Sequence, residues 1–290
     1  RTEDDLSNDK KKDPLIILSN ECKKENFLLT DDFEKIHLKI NKQVDTDTEW
    51  AESQEYPATE TALDYLYSND DFLDEPDTNP ISDKIVIVDA INHALNEEMF
   101  KNDKMIVYGQ DVADPKGGVF TATKGLTKTY GKERVFNSPL AESSIIGTAI
   151  GMAVTGYKPV VEIQFGDYIW TAMMQIRNEV ATMRYRSNNT WTCPLVIRVP
   201  VGGYIHGALC HSQSIDGYFM HLPGIYLAYP SNASDAKGLL KMACRMNDPV
   251  IFMEHKGLYR QGYAATQEPD EDYLLPFGKA RIVTEGNDLT

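Results

Sequence analysis

Hydrophobic and polar positions follow two different patterns along this chain. Through the first 80 residues, charged stretches alternate with short amphipathic pieces: Leu15-Ile16-Ile17-Leu18, then Phe33, Ile36, Leu38 and Ile40, then Ala62, Leu63, Tyr65, Leu66 and Tyr67. This pattern predicts two or three helices that pack on something else, because the segment has too little apolar surface to close a core alone. Asp74-Glu75-Pro76-Asp77-Thr78-Asn79-Pro80 is rich in breakers and acidic residues, and reads as a linker. From residue 81 short apolar runs alternate with helical periodicity. The spacing predicts helices over 88–102, 142–155, 167–185 and 233–246. Strands are expected at Met105–Tyr108, Arg134–Phe136, Val160–Ile163, Leu195–Val199, Tyr226–Ala228 and Val250–Met253. Strands rich in Val and Ile without polar alternation imply a parallel sheet covered on both faces. The expected class is therefore α/β, a doubly wound parallel sheet with helices on both faces, preceded by a helical acidic arm.

Composition narrows the function classes. With 290 residues, 42% of them hydrophobic, the chain has room for one large or two modest cores. No apolar run approaches the roughly 18 residues a spanning helix needs, so no membrane role is expected. The start, Arg-Thr-Glu-Asp-Asp, has neither an export signal nor an initiator Met, and reads as part of a cytoplasmic protein, itself a fragment. Cys22, Cys193, Cys210 and Cys244 are irregularly spaced with no Cys-x-x-Cys pair, as reduced thiols would be. Charge is unevenly divided: residues 1–80 carry 9 Lys and Arg against 22 Asp and Glu, a net of −13 out of −15 for the chain. Such acidity repels phosphate backbones, and no basic stripe is present, so no nucleic acid is expected as a partner.

Ligands of open parallel sheets bind beyond the carboxyl ends of the strands, which directs attention to three segments. Asn137-Ser138-Pro139-Leu140-Ala141-Glu142 follows one strand, Gln164-Phe165-Gly166-Asp167-Tyr168 the next, and a Gly-rich run to His206 and Cys210-His211-Ser212-Gln213-Ser214 a third. Glu142 enters the first turn of a helix, where it either satisfies free amides or sits in an apolar pocket. Shielded by Leu140 and Tyr168, it would have a raised pKa and could share a proton with a ring nitrogen of a bound heterocycle. Phe165 and Tyr168 could stack on a planar ligand or simply pack the core, and Gln164 could add an amide hydrogen bond. His206 and His211 flank Gly207-Ala208-Leu209-Cys210, and two histidines at a strand end suggest chemistry. A metal held by His206, Cys210 and His211 is the rival reading, weakened because adjacent Cys210 and His211 point apart in extended chain. His37, His93, His221 and His255 read as structural. The glycines at 117–118, 147–151 and 202–203 match neither a dinucleotide fingerprint nor a P-loop; those of 147–151 suit close packing of a helix on a neighbour.

Taken together, Tyr108-Gly109-Gln110-Asp111-Val112, Gly117-Gly118-Val119-Phe120, Arg134 through Glu142 and Gln164 through Tyr168 resemble the beta subunit of 2-oxo acid dehydrogenases. His206-Gly207-Ala208-Leu209-Cys210-His211-Ser212-Gln213-Ser214 resembles the branched-chain (2-oxoisovalerate) member in particular. The resemblance implies a transketolase-like pyrimidine-binding domain over 81–275 and thiamine diphosphate as cofactor. It makes Glu142 the residue bonding the aminopyrimidine ring and places Leu140, Gln164 and Tyr168 around that ring. His211 becomes a catalytic residue of acyl transfer to lipoyl-lysine, with His206 near the substrate.

Residues 1–73 resemble the C-terminal tail of the alpha half, joined here through a linker at 74–80, and 276–290 the entrance to a truncated C-terminal domain. The implied partners are the alpha half, which would supply the diphosphate site and Mg, and a lipoylated acyltransferase component, in an alpha2beta2-type assembly. The Gly-Asp-Gly motif of the alpha half is absent from this sequence, so the fragment alone is expected to be inactive. Ile205, Cys210 and Ile215-Asp216 depart from the family pattern, leaving pyruvate or acetoin as alternative substrates, and a non-catalytic assembly module as a further alternative. Family members often hold a monovalent cation near Leu195, Val196, Met246 and Asp248; Val196 and Met246 lack the oxygen-bearing side chains common there, and no metal site is expected.

Overall fold

Successive side chains of a β-strand point to opposite faces, so a strand apolar at every position needs a covering layer on each side. That requirement organises the larger of the two units into which the chain divides, Arg1–Ala62 and Leu63–Thr290. The computed structural model describes residues 1–69 and 80–288.

In the first unit, α1 (Glu3–Lys11), α2 (Pro14–Lys24) and α3 (Thr30–Ser53) contain no buried residue. Thr2 caps α1 with a capping box, and Asp13 caps α2 ahead of a Pro at its start. Leu15, Ile16, Ile17 and Leu18 are all at least 49% exposed.

The second unit contains β1 (Pro80–Ile85), α4 (Ile87–Lys101), β2 (Met105–Gly109), α5 (Leu126–Tyr130), β3 (Val135–Asn137), α6 (Glu142–Val154) and β4 (Lys158–Glu162). These are followed by α7 (Met183–Arg186), β5 (Val196–Val201), α8 (Asp216–Phe219), β6 (Tyr226–Ala228), α9 (Ala233–Arg245), β7 (Val250–His255) and β8 (Thr266–Pro269). Six strands form one all-parallel sheet in the order β3-β2-β4-β5-β7-β6. Val160, Val196, Val250 and Phe252 face a core closed by α4 and α9. Their neighbours Val161, Ile197, Ile251 and Met253 face a second core closed by α6 and the segment 169–181. The doubly wound architecture expected from the apolar runs is the one observed.

Three differences from the sequence expectation have physical causes. The predicted helix at 167–185 is broken into a 3-10 turn at Gly166–Ala172, a π turn at Gln175–Val180, and α7. Its apolar spacing is helical, but the wider π turn, closed by Ala181 N on Ile176 O, brings Ile176, Val180 and Ala181 all into the core. β1 and β8 pair antiparallel outside the main sheet; both are short and polar, and carry no hydrophobic period. Leu63–Tyr67, grouped with the arm by pattern, belongs to the sheet unit: the Tyr67 ring lies 4.8 Å from that of Tyr226, and Ser68 N donates to Asp248 Oδ2 at 2.6 Å. Residues 74–79 of the expected linker lie outside the described residues, whereas Pro80 opens β1.

Charges are buried inside this sheet, and they are paired. Arg198 on β5 is 1% exposed and donates to Glu254 on β7 at 2.7 and 2.9 Å and to Glu162 on β4 at 2.8 Å. Tyr259 hydroxyl donates to Glu254 at 2.5 Å. Burial pushes the Glu162 carboxyl up and the Arg198 guanidinium holds it down, while the two nearby carboxylates hold the guanidinium firmly protonated. On the same face of the sheet, in the layer of α4 and α9, Lys237 of α9 bonds Glu97 of α4 and Glu268 of β8, and His93 also reaches Glu268 at 2.8 Å.

Arg198→Met leaves two buried carboxylates unanswered, and is expected to lower unfolding free energy by about 3–5 kcal/mol in denaturant titration. With the cation gone, nothing opposes the burial that already pushes the Glu162 carboxyl up, so its folded-state pKa rises further above the unfolded value. The loss is therefore expected to grow as pH rises and to shrink in mild acid; a pH-independent loss contradicts the pairing.

Candidate active site

At the carboxyl end of the sheet, four segments bring side chains within reach of each other. Gly109 ends β2, and a Cβ there would stand 2.5 Å from the Glu162 carbonyl, so only glycine lets β2 approach β4 closely enough to deliver Gln110. Gln110 is 5% exposed and donates from Nε2 to Glu142 Oε1 at 3.2 Å. Glu142 opens α6, but its oxygens do not cap the helix: Oε2 lies 3.1 Å from Thr171 Oγ1 instead. The same hydroxyl lies 3.1 Å from the Tyr168 carbonyl, which ties the carboxylate to the loop after β4. Gln110 Oε1 is buried beside the carboxylate and has no hydrogen-bond partner.

That loop reaches the fourth segment, the one with His211, through rings. Tyr168 hydroxyl and His211 Nε2 are 2.7 Å apart, and His211 Nδ1 is 3.3 Å from Gly207 O. A carbonyl only accepts, so the neutral imidazole carries its proton on Nδ1 and Nε2 accepts from the tyrosine. Phe165 meets His211 edge to face, with centroids 4.5 Å apart, and Tyr168 at 5.5 Å. The strap that carries the histidine, 202–214, holds backbone with positive φ at Tyr204, His206 and Ala208.

The sequence-expected residues divide accordingly. Glu142, Tyr168 and His211 are linked by the chain of contacts just described. Gln164 is near but otherwise engaged: its Nε2 donates to Asp111 Oδ2 at 3.0 Å, and that carboxyl is held below its usual range chiefly by Lys116. Leu140 does not shield Glu142: it is itself 83% exposed, in the stretch ahead of α6. Phe165, 7% exposed, is a packing residue rather than an open stacking face. His206 is exposed on the strap, and Cys210 beside it is an exposed free thiol, while His211 already engages Tyr168. Gln110 and Thr171 were not singled out. Gln110 is the first residue beyond β2, so the strand-end rule could have found it; Thr171 was hidden in a segment read as continuous helix.

Of the four positions considered for a monovalent cation, Met246 and Asp248 are bonded by protein cations. Lys158 Nζ donates to Met246 O at 2.9 Å, and Arg184 bonds Asp248 Oδ1 at 2.8 Å and reaches Asn247 O at 3.3 Å. Among the described residues no helix is long and apolar enough to cross a membrane.

Residues 83–261 match the family "Transketolase, pyrimidine binding domain". The chain is 51% identical over 203 residues to the 2-oxoisovalerate dehydrogenase subunit beta of Bacillus subtilis (strain 168), a match covering 70% of this chain and 61% of that protein. It is 49% identical over 208 residues to the mitochondrial 2-oxoisovalerate dehydrogenase subunit beta of Dictyostelium discoideum, covering 71% and 55%. Against the pyruvate dehydrogenase E1 component subunit beta of Bacillus subtilis (strain 168), identity is 44% over 207 residues, covering 71% and 63%. The chain thus spans less than two thirds of the length of these relatives. With the match extending from β1 past β7 and the parallel sheet carrying Glu142 and His211 at its carboxyl end, the chain belongs to the transketolase pyrimidine-binding domain family.

Proposed function

We propose that this chain supplies the pyrimidine side of a thiamine-diphosphate site in a 2-oxo acid dehydrogenase acting on a branched-chain 2-oxo acid of the 2-oxoisovalerate type. The observation that carries the reading is Glu142 held between Gln110 and Thr171, with the Tyr168–His211 pair on the adjoining loop. The donor set suits an aminopyrimidine. A carboxylate can share a proton with a basic ring nitrogen, and the unpartnered Gln110 Oε1 offers an acceptor to an amine. Thiamine diphosphate, its pyrimidine held by Glu142 and Gln110, would supply a nucleophilic carbon and an electron sink for decarboxylation.

The protein's own residues do the rest in this reading. Glu142 holds or returns a proton at Oε1 or Oε2, and Gln110 and Thr171 fix its orientation. His211, accepting from Tyr168, is placed to move a proton during acyl transfer to a lipoyl group. Leu140, Gln164 and His206 line the approach: Leu140 and His206 are exposed, as groups awaiting a ligand or partner surface would be. The diphosphate and Mg would come from an alpha half, the acyl acceptor from a lipoylated acyltransferase, and the assembly would be of the alpha2beta2 type. This chain alone would be inactive.

The branched-chain substrate is supported by the higher identity to the 2-oxoisovalerate relatives and by the His206–Ser214 motif. The second reading is pyruvate, favoured by the 44% identity to the pyruvate dehydrogenase subunit. A pocket distinguishes one methylene by about 1–3 kcal/mol, so kcat/KM of the assembled enzyme on the two acids decides between them.

Glu142→Gln in the assembled enzyme is expected to lower decarboxylation by at least about 100-fold in single-turnover assays, within the range for losing a positioned acid or base. Turnover within a few fold of wild type contradicts the assignment. Tyr168→Phe removes the hydroxyl from His211 Nε2 while leaving the ring, and is expected to slow transfer to lipoyl-lysine more than decarboxylation. Equal slowing of both steps, read by separate assays of carbon dioxide release and lipoyl acylation, contradicts the role given to His211.

A further inference from the structure

Lys256, directly after β7, is 2% exposed, and its Nζ has no hydrogen-bond partner. The other buried cations of the sheet unit are answered: Arg198 by two carboxylates, Lys237 by Glu97 and Glu268, Arg184 by Asp248. Burying an ammonium without a partner costs stability, and here burial draws its pKa down to about 8 while the attraction of Asp167 opposes the shift. A methionine would fill the same space without that cost. The charge therefore calls for a function.

Its surroundings indicate one. Nζ lies 5.6 Å from the centroid of the Phe165 ring, on its face, and Asp167 supplies the nearby negative charge. Asp167 Oδ1 is buried without a hydrogen-bond partner, and Oδ2 accepts from Gln213 N at 3.3 Å. Phe165 packs edge to face on His211, and Gln213 O accepts from Gly202 N at 2.9 Å. Both residues that the ammonium attracts thus touch the strap, one at His211 and the other two residues on.

We propose that Lys256 is a positioning residue for His211: its ammonium holds the Phe165 ring and the Asp167 carboxylate, against which the imidazole and Gln213 are seated. The assignment of this role to catalysis rests on the proposed part of His211 in acyl transfer; the seating itself does not.

The test uses the purified full chain with Lys256→Met, Lys256→Arg and Phe165→Leu. Thermal midpoint is measured together with the rate at which diethyl pyrocarbonate modifies His211, resolved by peptide mass spectrometry with His206 as internal control. Lys256→Met is expected to keep or raise the midpoint while speeding His211 modification several-fold, and Lys256→Arg to keep the wild-type rate. Phe165→Leu is expected to give the same acceleration with the lysine in place, and the double variant no further increase. An unchanged His211 rate in Lys256→Met overturns the proposal, as does Lys256→Arg behaving like Lys256→Met. If Lys256→Met fails to fold, Lys256→Arg and Phe165→Leu still decide: an unchanged rate in Phe165→Leu or a raised one in Lys256→Arg overturns it. In the assembled enzyme, faster modification with intact lipoyl acylation would support the seating and contradict the role of His211.

Discussion

A guanidinium in the middle of a parallel sheet must be answered by its neighbours, because water cannot reach it. Arg198 is answered across both adjacent strands, by Glu162 of β4 and Glu254 of β7, with Tyr259 closing the group. The consequence is geometric. Three strands are pinned together, β4 and β7 close to their carboxyl ends, and from the three leave the loop with Phe165 and Tyr168, the strap with His211, and Lys256. Bidentate bonding fixes register as well as spacing, so each loop starts from a set position. The rest of the site inherits its order from this charge cluster, although none of the cluster's members has been given a chemical role.

Above that floor, polar contacts join the loops rather than fill them. Glu142 is reached from β2 through Gln110 and from the β4 loop through Thr171, and the same loop reaches the strap through Tyr168 and His211. One acceptor, Gln110 Oε1, is left over. A site finished for its own stability would satisfy that oxygen. Leu140 is exposed, so it adds no apolar cover to the carboxylate. These features agree with a site completed from outside, as the proposed division between two halves requires.

The sheet was largely legible because its strands are apolar at consecutive positions, a pattern that demands cover on both faces. Glu142, Tyr168 and His211 were legible because they follow strand ends. What periodicity missed has local causes. β1 and β8 are too short and polar to show a period, and the segment after β4 keeps helical spacing while its backbone tightens and widens. The buried charges were legible in principle, since Arg198 lies inside Val-Ile-Arg-Val and Glu254 inside Ile-Phe-Met-Glu. A charge within a strand covered on both faces needs a partner, yet only the neighbouring strand order, unknown from sequence, identifies which. Cover over Glu142 is a different matter: proximity in sequence does not say which side chains pack on a carboxylate, and Leu140, two residues away, is 83% exposed.

The central claim is that the Glu142 carboxylate meets the ring nitrogen of a bound aminopyrimidine. Nitrogen-15 NMR of thiamine diphosphate labelled at that ring nitrogen, bound to this chain assembled with a diphosphate-binding half, tests it most directly. The account expects a resonance displaced from that of the free cofactor in the wild type, and loss of the displacement with Glu142→Ala while binding through the diphosphate persists. A bound cofactor whose ring-nitrogen signal is the same with and without the Glu142 carboxylate would contradict it.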